Sequence, residues 1–290
     1  MALVPFDDRD GSIWINGEMV PWRDATSHTL SHGLHYASTV FEGERVYSGV
    51  IFKGREHTER LRNSCKIMDF ELPLSDDELD AAKMAVIEAN GIVDGYVRAF
   101  AWRGSEMMAI SAQQTRTHVA IAAWEWPSYF DPEVKMKGIT LDISDWKRPS
   151  PESAPVNAKA AGLYMICTMS KHAAEAKGCS DAMMYDYRGY VAEATGANIF
   201  FVKDGEVHTP TPDCFLNGIT RQTVIGMLKD KGITVHERHI MPEELEGFEQ
   251  CWLTGTAAEV TPVGQIGDWK FEVGALTREI ATDYEKLVRS

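Results

Sequence analysis

Three dipeptides that end in glycine restrict the fold of this chain most, because each lies between two short strand-like runs. They are Asn16-Gly17, Arg188-Gly189 and Asp204-Gly205. Two-residue hairpin turns need backbone conformations that glycine adopts without steric cost. The pattern therefore predicts antiparallel hairpins over residues 12–22, 182–191 and 198–209.

Helix signals alternate with strands in the first part of the chain. A capping box, Ser75-x-x-Glu78, predicts a helix over residues 76–90 that ends at Gly91, after an amphipathic helix over residues 55–68. Strands are predicted over residues 40–52, 96–102 and 118–124. This order of elements is typical of a compact α+β unit.

The second part of the chain also mixes strands with helices. Besides its two hairpins, it should contain strands over residues 139–146 and 251–255 and helices over residues 164–177, 220–231 and 274–288. Residues 124–134 carry proline and aromatic residues without periodicity, which indicates an interdomain connection. We therefore expect an N-terminal domain over residues 1–123 and a C-terminal domain over residues 135–290.

Charge and cysteine content exclude several classes of protein. A formal net charge of −14 repels nucleic acid and anionic membranes, so we expect neither as a partner. The five cysteines include no Cys-x-x-Cys pair, which favours a reduced, cytoplasmic protein without disulfides or a thiolate zinc site. The acidic N-terminus is untypical of a signal peptide, no apolar run approaches membrane-spanning length, and the nine histidines show no metal-binding motif.

Lys159 is a single cation among small and apolar residues, in the segment from Ala154 to Met165. Burial disfavours the charged ammonium form, so such a lysine can serve as an amine nucleophile or proton carrier. The alternative is a lysine that extends to solvent from the start of a helix. Three later segments favour the first interpretation.

These segments offer an acid and two potential anion sites. Glu193 stands among small residues just before an apolar strand, where it could also be a surface charge. Gly218 and Thr220 begin a helix, whose free N–H groups favour an anion, although threonine is also a common helix cap. The turn over residues 254–261 is rich in hydroxyls, which bind an anion or simply satisfy the backbone.

An amine, an acid and two anion sites match the requirements of pyridoxal 5'-phosphate. Its aldehyde needs a lysine, its ring nitrogen needs a carboxylate, and its phosphate needs N–H groups and an arginine. The sequence therefore predicts this cofactor.

The chain resembles the branched-chain aminotransferases, class IV (fold-type IV) pyridoxal-phosphate enzymes, nearly from end to end. The motifs are Leu34-His35-Tyr36, Phe41-Glu42-Gly43-x-Arg45, His57-x-x-Arg60-Leu61, Tyr96-Val97-Arg98, Lys159 to Tyr164, Glu193-x-x-Gly196-x-Asn198 and Gly218-Ile219-Thr220-Arg221. The resemblance implies an α+β fold with a small N-terminal α/β domain and a larger C-terminal domain with a β-barrel-like core. It also implies a homodimer or higher homo-oligomer, because the family builds its pocket across a subunit interface.

The resemblance implies that Lys159 is the Schiff-base lysine and moves the proton between the substrate Cα and the cofactor. Tyr164 would bind the phenolic oxygen of the cofactor, and Glu193 its ring nitrogen. The phosphate and the ring face would be held by Arg60, Leu216, Gly218, Ile219, Thr220 and Thr256. Without the resemblance, Arg60 would be interpreted as a helix-surface charge and Arg98 as a strand-edge charge.

The resemblance further implies that one pocket binds apolar and acidic side chains in turn. Arg98 would bind the distal carboxylate of glutamate. The α-carboxylate would contact Thr256 and Ala257 with help from Tyr96. The other substrate-binding residues would be Tyr36, Phe41, Gly43, Arg45, Trp126 and Tyr129, whose aromatic members could alternatively fill a core.

Two departures from the family pattern concern this pocket. Where the family often has a glycine-rich loop that reaches the partner subunit, residues 105–111 here include Met107 and Met108, which could reshape the substrate mouth. Ala99 stands where the family often has a proline.

We therefore predict a transaminase that moves the amino group between a branched-chain L-amino acid (leucine, isoleucine or valine) and 2-oxoglutarate by a ping-pong mechanism. The nearest alternative is a transaminase for D-amino acids or (R)-amines, although the retention of Tyr96 and Arg98 speaks against it. A pyridoxal-phosphate lyase of the aminodeoxychorismate type is a second alternative, and a non-catalytic protein with the same fold is a third.

Overall fold

The computed structural model describes residues 4–126 and 136–290. The chain forms two compact units: the N-terminal unit comprises Met1–Pro127 with Ala158–Gly162, and the C-terminal unit comprises Ser128–Asn157 with Leu163–Ser290. The segment that contains Lys159 thus belongs to the N-terminal unit. The predicted connection over residues 124–134 begins inside a strand that runs to Glu125, and most of it lies outside the described residues.

The N-terminal unit is built on a seven-stranded antiparallel sheet. Its strands are β1 (Ser12–Ile15), β2 (Glu18–Pro21), β3 (Thr39–Phe41), β4 (Glu44–Tyr47), β5 (Val50–Ile51), β6 (Gly95–Arg103) and β7 (Thr117–Glu125). The strand order is β2-β1-β7-β6-β4-β5, and β3 pairs with β6. The helices are α1 (His32–Tyr36), α2 (Gly54–Ile67) and α3 (Asp76–Ala89).

Local signals determine the ends of these elements. Asn16 and Gly17 have φ values of 51° and 104°, which confirms the predicted first hairpin. Ser75 and Glu78 form the predicted capping box at the start of α3. Because these contacts involve residues close in sequence, α2 and α3 begin and end within one residue of their predicted bounds.

Strand β6 presents two different faces. Val97, Ala99 and Ala101 are fully buried on one face. The alternating residues are only partly buried; they are Tyr96, Arg98 and Phe100. Since side chains alternate across a strand, this second face is the one on which Tyr96 and Arg98 can contact a ligand.

The C-terminal unit contains a nine-stranded sheet. Its strands are β8 (Ile139–Ile143), β9 (Asp181–Tyr185), β10 (Val191–Ala194), β11 (Asn198–Lys203), β12 (Glu206–Pro210), β13 (Val235–Arg238), β14 (Gln250–Gly255), β15 (Glu259–Ile266) and β16 (Trp269–Lys270). The helices in the described part of this unit are α4 (Met165–Ala176), α5 (Ile219–Asp230) and α6 (Ala275–Leu287). A short 3-10 helix, Ala161–Tyr164, precedes α4.

Six of these strands close into a barrel. They follow the order β10-β9-β8-β15-β14-β11, and a pairing of β10 with β11 at Glu193 and Asn198 closes the ring. Apolar side chains from all six strands form one buried cluster, which includes Leu141, Met183 and Phe201. Each buried side chain of this kind contributes about 1.5–3 kcal/mol of transfer free energy. The expected β-barrel-like core is confirmed.

The sequence patterns missed or misplaced some elements. Strand β15 was not predicted because it contains Pro262 and Gly264, which usually interrupt strands. Strand β8 ends at Ile143 instead of residue 146, because the Ser144 side chain accepts a bond from the Trp146 N–H and bends the chain. No helix in the described parts of the chain is long and apolar enough to span a membrane.

Candidate active site

Lys159 lies in an extended segment that is fixed to the N-terminal unit at both sides. Its carbonyl accepts from the N–H of Phe41 at 3.1 Å, and its own N–H donates to Ser64 Oγ at 3.0 Å. The flanking residues Ala158 and Ala160 are buried. The Lys159 ammonium nitrogen lies 5.1 Å from the centre of the Phe41 ring. Lys159 thus lies two residues before the 3-10 helix, with its backbone held by Phe41 of β3 and Ser64 of α2.

Arg60, on α2, is held by a buried carboxylate. Its Nε and Nη2 donate to the two oxygens of Glu42, both at 2.7 Å. The His57 ring Nδ1 lies 2.7 Å from the same carboxylate. Burial alone would raise the pKa of the Glu42 carboxyl, but the charge and hydrogen bonds of Arg60, followed by those of His57, lower it far below its usual range. The guanidinium therefore has a fixed orientation.

Glu44, two residues after Glu42, forms a second buried ion pair. Lys83, on α3, contacts both oxygens of Glu44 at 2.8 and 2.9 Å and donates to the Thr58 hydroxyl at 2.7 Å. Both charged side chains are almost fully buried. Burial raises the pKa of the Glu44 carboxyl, although the charge of Lys83 opposes this effect. This pair connects β4 with α3.

Several predicted substrate residues meet around Phe41 in the N-terminal unit. The Arg98 guanidinium lies 4.5 Å from the Phe41 ring centre and 5.6 Å from that of Tyr96. The Trp126 ring lies 5.5 Å from the Tyr96 ring. A Cβ atom on Gly43 would come within 1.8 Å of the Tyr96 hydroxyl, so only glycine leaves room for that hydroxyl.

The other three predicted substrate residues of this region differ in their placement. Arg45 is buried on β4, and its guanidinium lies 5.1 Å from the Tyr47 ring. Tyr36 is 43% exposed, and its ring centre lies 4.6 Å from that of His32. Tyr129 lies outside the described residues.

In the C-terminal unit, Glu193 is buried on β10 between an amide and a cation. Asn198 Nδ2 donates to its carboxylate at 3.1 Å, and Arg148 Nε lies 3.4 Å from its other oxygen. Burial lowers the pKa of the Arg148 guanidinium, but the charge of Glu193 opposes this effect and the pKa is raised. Arg148 therefore remains a cation beside Glu193, which is not a strand-end surface charge.

Asn198 also fixes the predicted anion site at the start of α5. Its Nδ2 donates to the Leu216 carbonyl at 3.0 Å, and its Oδ1 accepts from the Gly218 N–H at 3.2 Å. A Cβ atom on Gly218 would lie 2.2 Å from Asn198 Oδ1, so the site requires glycine. Ile219 and Thr220 follow in the first turn of the helix, where N–H groups lack helical acceptors. One asparagine thus links Glu193, Leu216 and Gly218.

Thr256 and Ala257 lie in the tight turn between β14 and β15. Ala257 lines a cavity of about 330 Å³ in the C-terminal unit, together with Tyr164 and Gly196. Next to the turn, the Thr254 hydroxyl is buried and has no hydrogen-bond partner among the described residues. Thr254 stands directly opposite Asn198 in the pairing of β14 with β11. The structure therefore brings Tyr164 close to the turn of Thr256.

The sequence interpretation gave no role to Asn198, Glu42 or Arg148. The first two stand inside the motifs that were recognised, so their spacing was a usable signal. Arg148 has no such signal, because its pairing with Glu193 depends on a bridge between Arg148 and Asp186 that only the folded chain forms.

Two clusters in the described part of the chain have the spacing of metal ligands, and an arginine already engages each. Arg188 bonds Asp186 and Asp213 at 2.6 and 2.9 Å. In the second cluster, Arg238 Nε donates to His208 Nδ1 at 3.1 Å. The members of that cluster are Glu206, His208 and His236.

Comparison with known proteins places the chain in a family. The model of the family "Amino-transferase class IV" matches residues 39–266. A probable branched-chain-amino-acid aminotransferase from Rickettsia conorii is 42% identical over 293 residues, which cover 100% of both chains. The T.th. branched-chain amino acid aminotransferase with pyridoxamine 5'-phosphate is 36% identical, with a TM-score of 0.93 over 97% of this chain and 96% of that one. The same enzyme complexed with N-(5'-phosphopyridoxyl)-L-glutamate is 35% identical, with a TM-score of 0.92 over 97% and 95% of the chains.

Proposed function

The chain belongs to the class IV aminotransferases, and we propose that it moves the amino group between a branched-chain L-amino acid and 2-oxoglutarate in a ping-pong reaction that uses pyridoxal 5'-phosphate. The observation that most directly supports this proposal is that Lys159 and Arg98 contact the same ring, that of Phe41. An amine beside an apolar surface suits a leucine, isoleucine or valine side chain, and the neighbouring guanidinium suits the second carboxylate of 2-oxoglutarate.

Each unit, taken by itself, contains residues that fit this cofactor. Gly218 leaves a cradle that a Cβ atom would fill, directly before the free N–H groups of Ile219 and Thr220. Arg60 has a fixed guanidinium for the phosphate, and Glu193 has a fixed carboxylate for the ring nitrogen. Remaining contacts would come from Tyr164 on the phenolic oxygen, Thr256 on the phosphate and Leu216 on the ring face. The T.th. aminotransferase, which is similar to this chain, carries the pyridoxamine form.

When bound, the cofactor supplies an electron sink for the pair released from the substrate Cα–H bond. Lys159 Nζ, in its uncharged form, takes the proton from that Cα and delivers a proton to the Cα of the second substrate in the return half-reaction. The two backbone hydrogen bonds of Lys159, to Phe41 and Ser64, hold its Cα atom in place during this transfer. Arg148 and Asn198 hold Glu193 in position throughout.

Two kinds of side chain enter the same pocket in this proposal. Phe41 and Trp126 offer apolar ring surface, while Arg98 offers a charge-assisted contact. The Tyr96 hydroxyl, for which Gly43 leaves room, would bind the α-carboxylate. The relatives support both classes: one is named for branched-chain amino acids, and another carries an adduct of L-glutamate.

We also propose a homodimer or higher homo-oligomer. Leu34 and Ile110, at 72% and 85%, are the two most exposed large apolar side chains among the described residues. Their segments are connected, because His32 Nε2 lies 2.9 Å from the Ala109 carbonyl oxygen. A second copy of the chain would cover this apolar surface, to which Met108 and Tyr36 also contribute. Five free cysteines agree with a cytoplasmic location.

An absorbance experiment tests the proposal. The purified protein is scanned before and after separate additions of L-leucine, L-glutamate, D-alanine and (R)-1-phenylethylamine. We expect a visible cofactor band that both L-amino acids convert to the aminated form. Conversion by only D-alanine or the (R)-amine would replace the substrate assignment. Release of pyruvate without an amino acceptor would indicate a lyase, and a colourless protein that ignores added cofactor would refute catalysis of this kind.

A further inference from the structure

The cavity of about 330 Å³ in the C-terminal unit follows one whole face of α4. Its wall includes Tyr164, just before the helix, and then Cys167, Thr168, Lys171 and His172. This is the i, i+3, i+4, i+7, i+8 spacing of a single helix face. At a rise of about 1.5 Å per residue, Lys171 lies about 10 Å along the helix axis from Tyr164. The cavity therefore has a second end, away from the tyrosine, at Lys171.

Asp181, at the start of β9, contributes an anion to the cavity wall. Its carboxylate accepts from the Thr195 hydroxyl at 2.6 Å and from the Ala182 N–H at 2.7 Å. Both bonds reach the same oxygen, Oδ1, so within the described residues Oδ2 remains available to a further donor. The carboxylate is thus fixed in place while one of its oxygens can bind a ligand.

Lys171 contributes the opposite charge at the same end of the cavity. Its ammonium donates to the Ser180 carbonyl, directly before Asp181, and lies 3.8 Å from the Glu175 carboxylate. Burial raises the pKa of the Asp181 carboxyl, and the charge of Lys171 opposes this effect. The ammonium is therefore close enough to act on the Asp181 carboxylate, and the cavity wall carries a cation beside an anion.

The remaining wall of the cavity is mainly apolar. Ile139, Ala197 and Leu253 line it, and all three are buried members of the cluster inside the barrel. Thr168 and His172, on the opposite wall, are exposed, so the cavity opens to solvent. A small molecule from solvent would thus meet an apolar surface and a pair of opposite charges.

We propose that this cavity binds a free α-amino acid with an apolar side chain, at a site separate from that of the reacting substrate. The ligand ammonium would contact Asp181, its carboxylate would contact Lys171, and its side chain would lie against Leu253. Small-molecule sites have volumes of about 300–1,000 Å³, so a cavity of about 330 Å³ suits a ligand of this size. The site does not depend on the proposed reaction, because neither Asp181 nor Lys171 takes part in it.

Ligands of other classes match these groups less well. A dicarboxylic acid would bring a second negative charge to Asp181 or to the apolar wall, where no cation compensates it. A simple carboxylic acid or a simple amine would engage only one of the two charges. A zwitterion with a short apolar side chain, such as L-leucine, matches both charges and the apolar wall.

Isothermal titration tests the site once the candidate active site has been filled. N-(5'-phosphopyridoxyl)-L-glutamate, the adduct in the T.th. aminotransferase, joins cofactor and substrate in one molecule and so occupies both of their places. L-Leucine should still bind to the loaded protein, at one site per chain, and absence of binding would overturn the proposal. Binding of the adduct itself tests the proposed function. If the adduct does not bind, L-leucine is titrated into the unloaded protein, so that the two proposals fail separately.

Three analogues of L-leucine identify the groups that the site recognises. 4-Methylpentanoate lacks the ammonium, 3-methylbutylamine lacks the carboxylate, and glycine lacks the apolar side chain. Each should bind the loaded protein roughly tenfold or more weakly than L-leucine, because each loses one charge-assisted contact or the apolar contact. Equal binding of 4-methylpentanoate would refute the role of Asp181, and equal binding of 3-methylbutylamine would refute that of Lys171.

Variants with matched controls locate the bound amino acid. Asp181→Asn and Lys171→Met should each weaken the binding of L-leucine roughly tenfold or more, because each removes one charge-assisted contact. The controls are Asp142→Asn and Lys177→Met, which break an ion pair of 2.7 Å in the same unit. Neither control residue lines the cavity, so binding should stay within about twofold. Equal losses in variants and controls would overturn the proposal.

Thermal unfolding separates loss of the site from loss of the fold. The amide oxygen of Asp181→Asn can still accept from Thr195 and Ala182, while its N–H₂ group replaces the oxygen that would bind the ligand ammonium. Since burial disfavours the charged carboxylate, this variant should keep or raise Tm while it loses L-leucine binding. A large drop in Tm would show that the Asp181 carboxylate serves the fold, and its assignment to a ligand would be refuted.

Discussion

Replacement of Glu42 by glutamine tests whether this buried carboxylate positions Arg60. The amide has the same shape but only one oxygen. Three donors face the carboxylate of Glu42: Nε and Nη2 of Arg60 and Nδ1 of His57, each at 2.7 Å. The amide N–H₂ group must face at least one of them, and it fits best at Oε1, where only the Arg60 Nε is displaced.

The expected loss follows from these contacts. One hydrogen bond to a charged group is lost, which costs about 1.5–3 kcal/mol, and the guanidinium keeps a neutral partner in place of a charged one. We expect the free energy of unfolding to fall by about 2–4 kcal/mol. If Arg60 then loses one bond to the cofactor phosphate, cofactor affinity falls roughly 10- to 100-fold.

Glu44→Gln is the matched control. Glu44 is equally buried and also faces one cation through both oxygens, at 2.8 and 2.9 Å from Lys83 Nζ. Its replacement should cost similar stability while the bonds between Glu42 and Arg60 remain. Cofactor titration followed by absorbance and fluorescence, combined with urea unfolding, measures both quantities. Equal losses of cofactor affinity in the two variants would show that Glu42 acts through stability alone, and the positioning role would be refuted.

Three further predictions follow from the same contacts. Lys159→Ala should abolish turnover and leave Tm within a few degrees of the wild type, because both backbone bonds of Lys159 remain; full activity would contradict its assignment. Gly218→Ala should weaken cofactor binding, measured by absorbance titration. The new Cβ atom would lie 2.2 Å from Asn198 Oδ1 and would push away the Asn198 side chain, which also bonds Glu193. Unchanged affinity would show that the helix start is not the phosphate site. The pKa of Glu42 is depressed in the folded state, so its stabilising contribution is present above the ordinary value of 4.5 and is lost progressively as pH falls below it. The difference in unfolding free energy between wild type and Glu42→Gln should therefore shrink as pH falls through that range. A constant difference would refute the linkage.

Short-range signals could be interpreted from the sequence, because the residues that form them are neighbours in the chain. The Asn16-Gly17 turn and the capping box at Ser75 are both of this kind, and both are confirmed. The barrel is not a short-range feature, because its closure depends on the pairing of Glu193 with Asn198 and on a parallel pairing of β8 with β15. It was expected only through the family resemblance.

The candidate site shows the same limit. Motif spacing identified Lys159 and Arg60, but the sequence does not show that the Lys159 segment joins the N-terminal unit, where Phe41 and Ser64 hold its backbone. The strand β15 was missed because Pro262 and Gly264 are unfavourable locally. Pairing with β14 on one side and β8 on the other outweighs that local preference.

Residues 42–45 illustrate why charge in a sequence does not reveal its role. Glu42, Glu44 and Arg45 are all buried and ionisable, and they are separated by one or two positions. Two basic side chains compensate Glu42, one compensates Glu44, and none of the described residues compensates Arg45. A carboxylate that is compensated within the chain can only position its partner or stabilise the fold. A guanidinium that is not compensated costs stability until an anion binds, and the free energy recovered on binding then contributes to affinity for that anion. Glu42 and Glu44 are therefore the two residues of this run whose replacement should change how firmly the site is held.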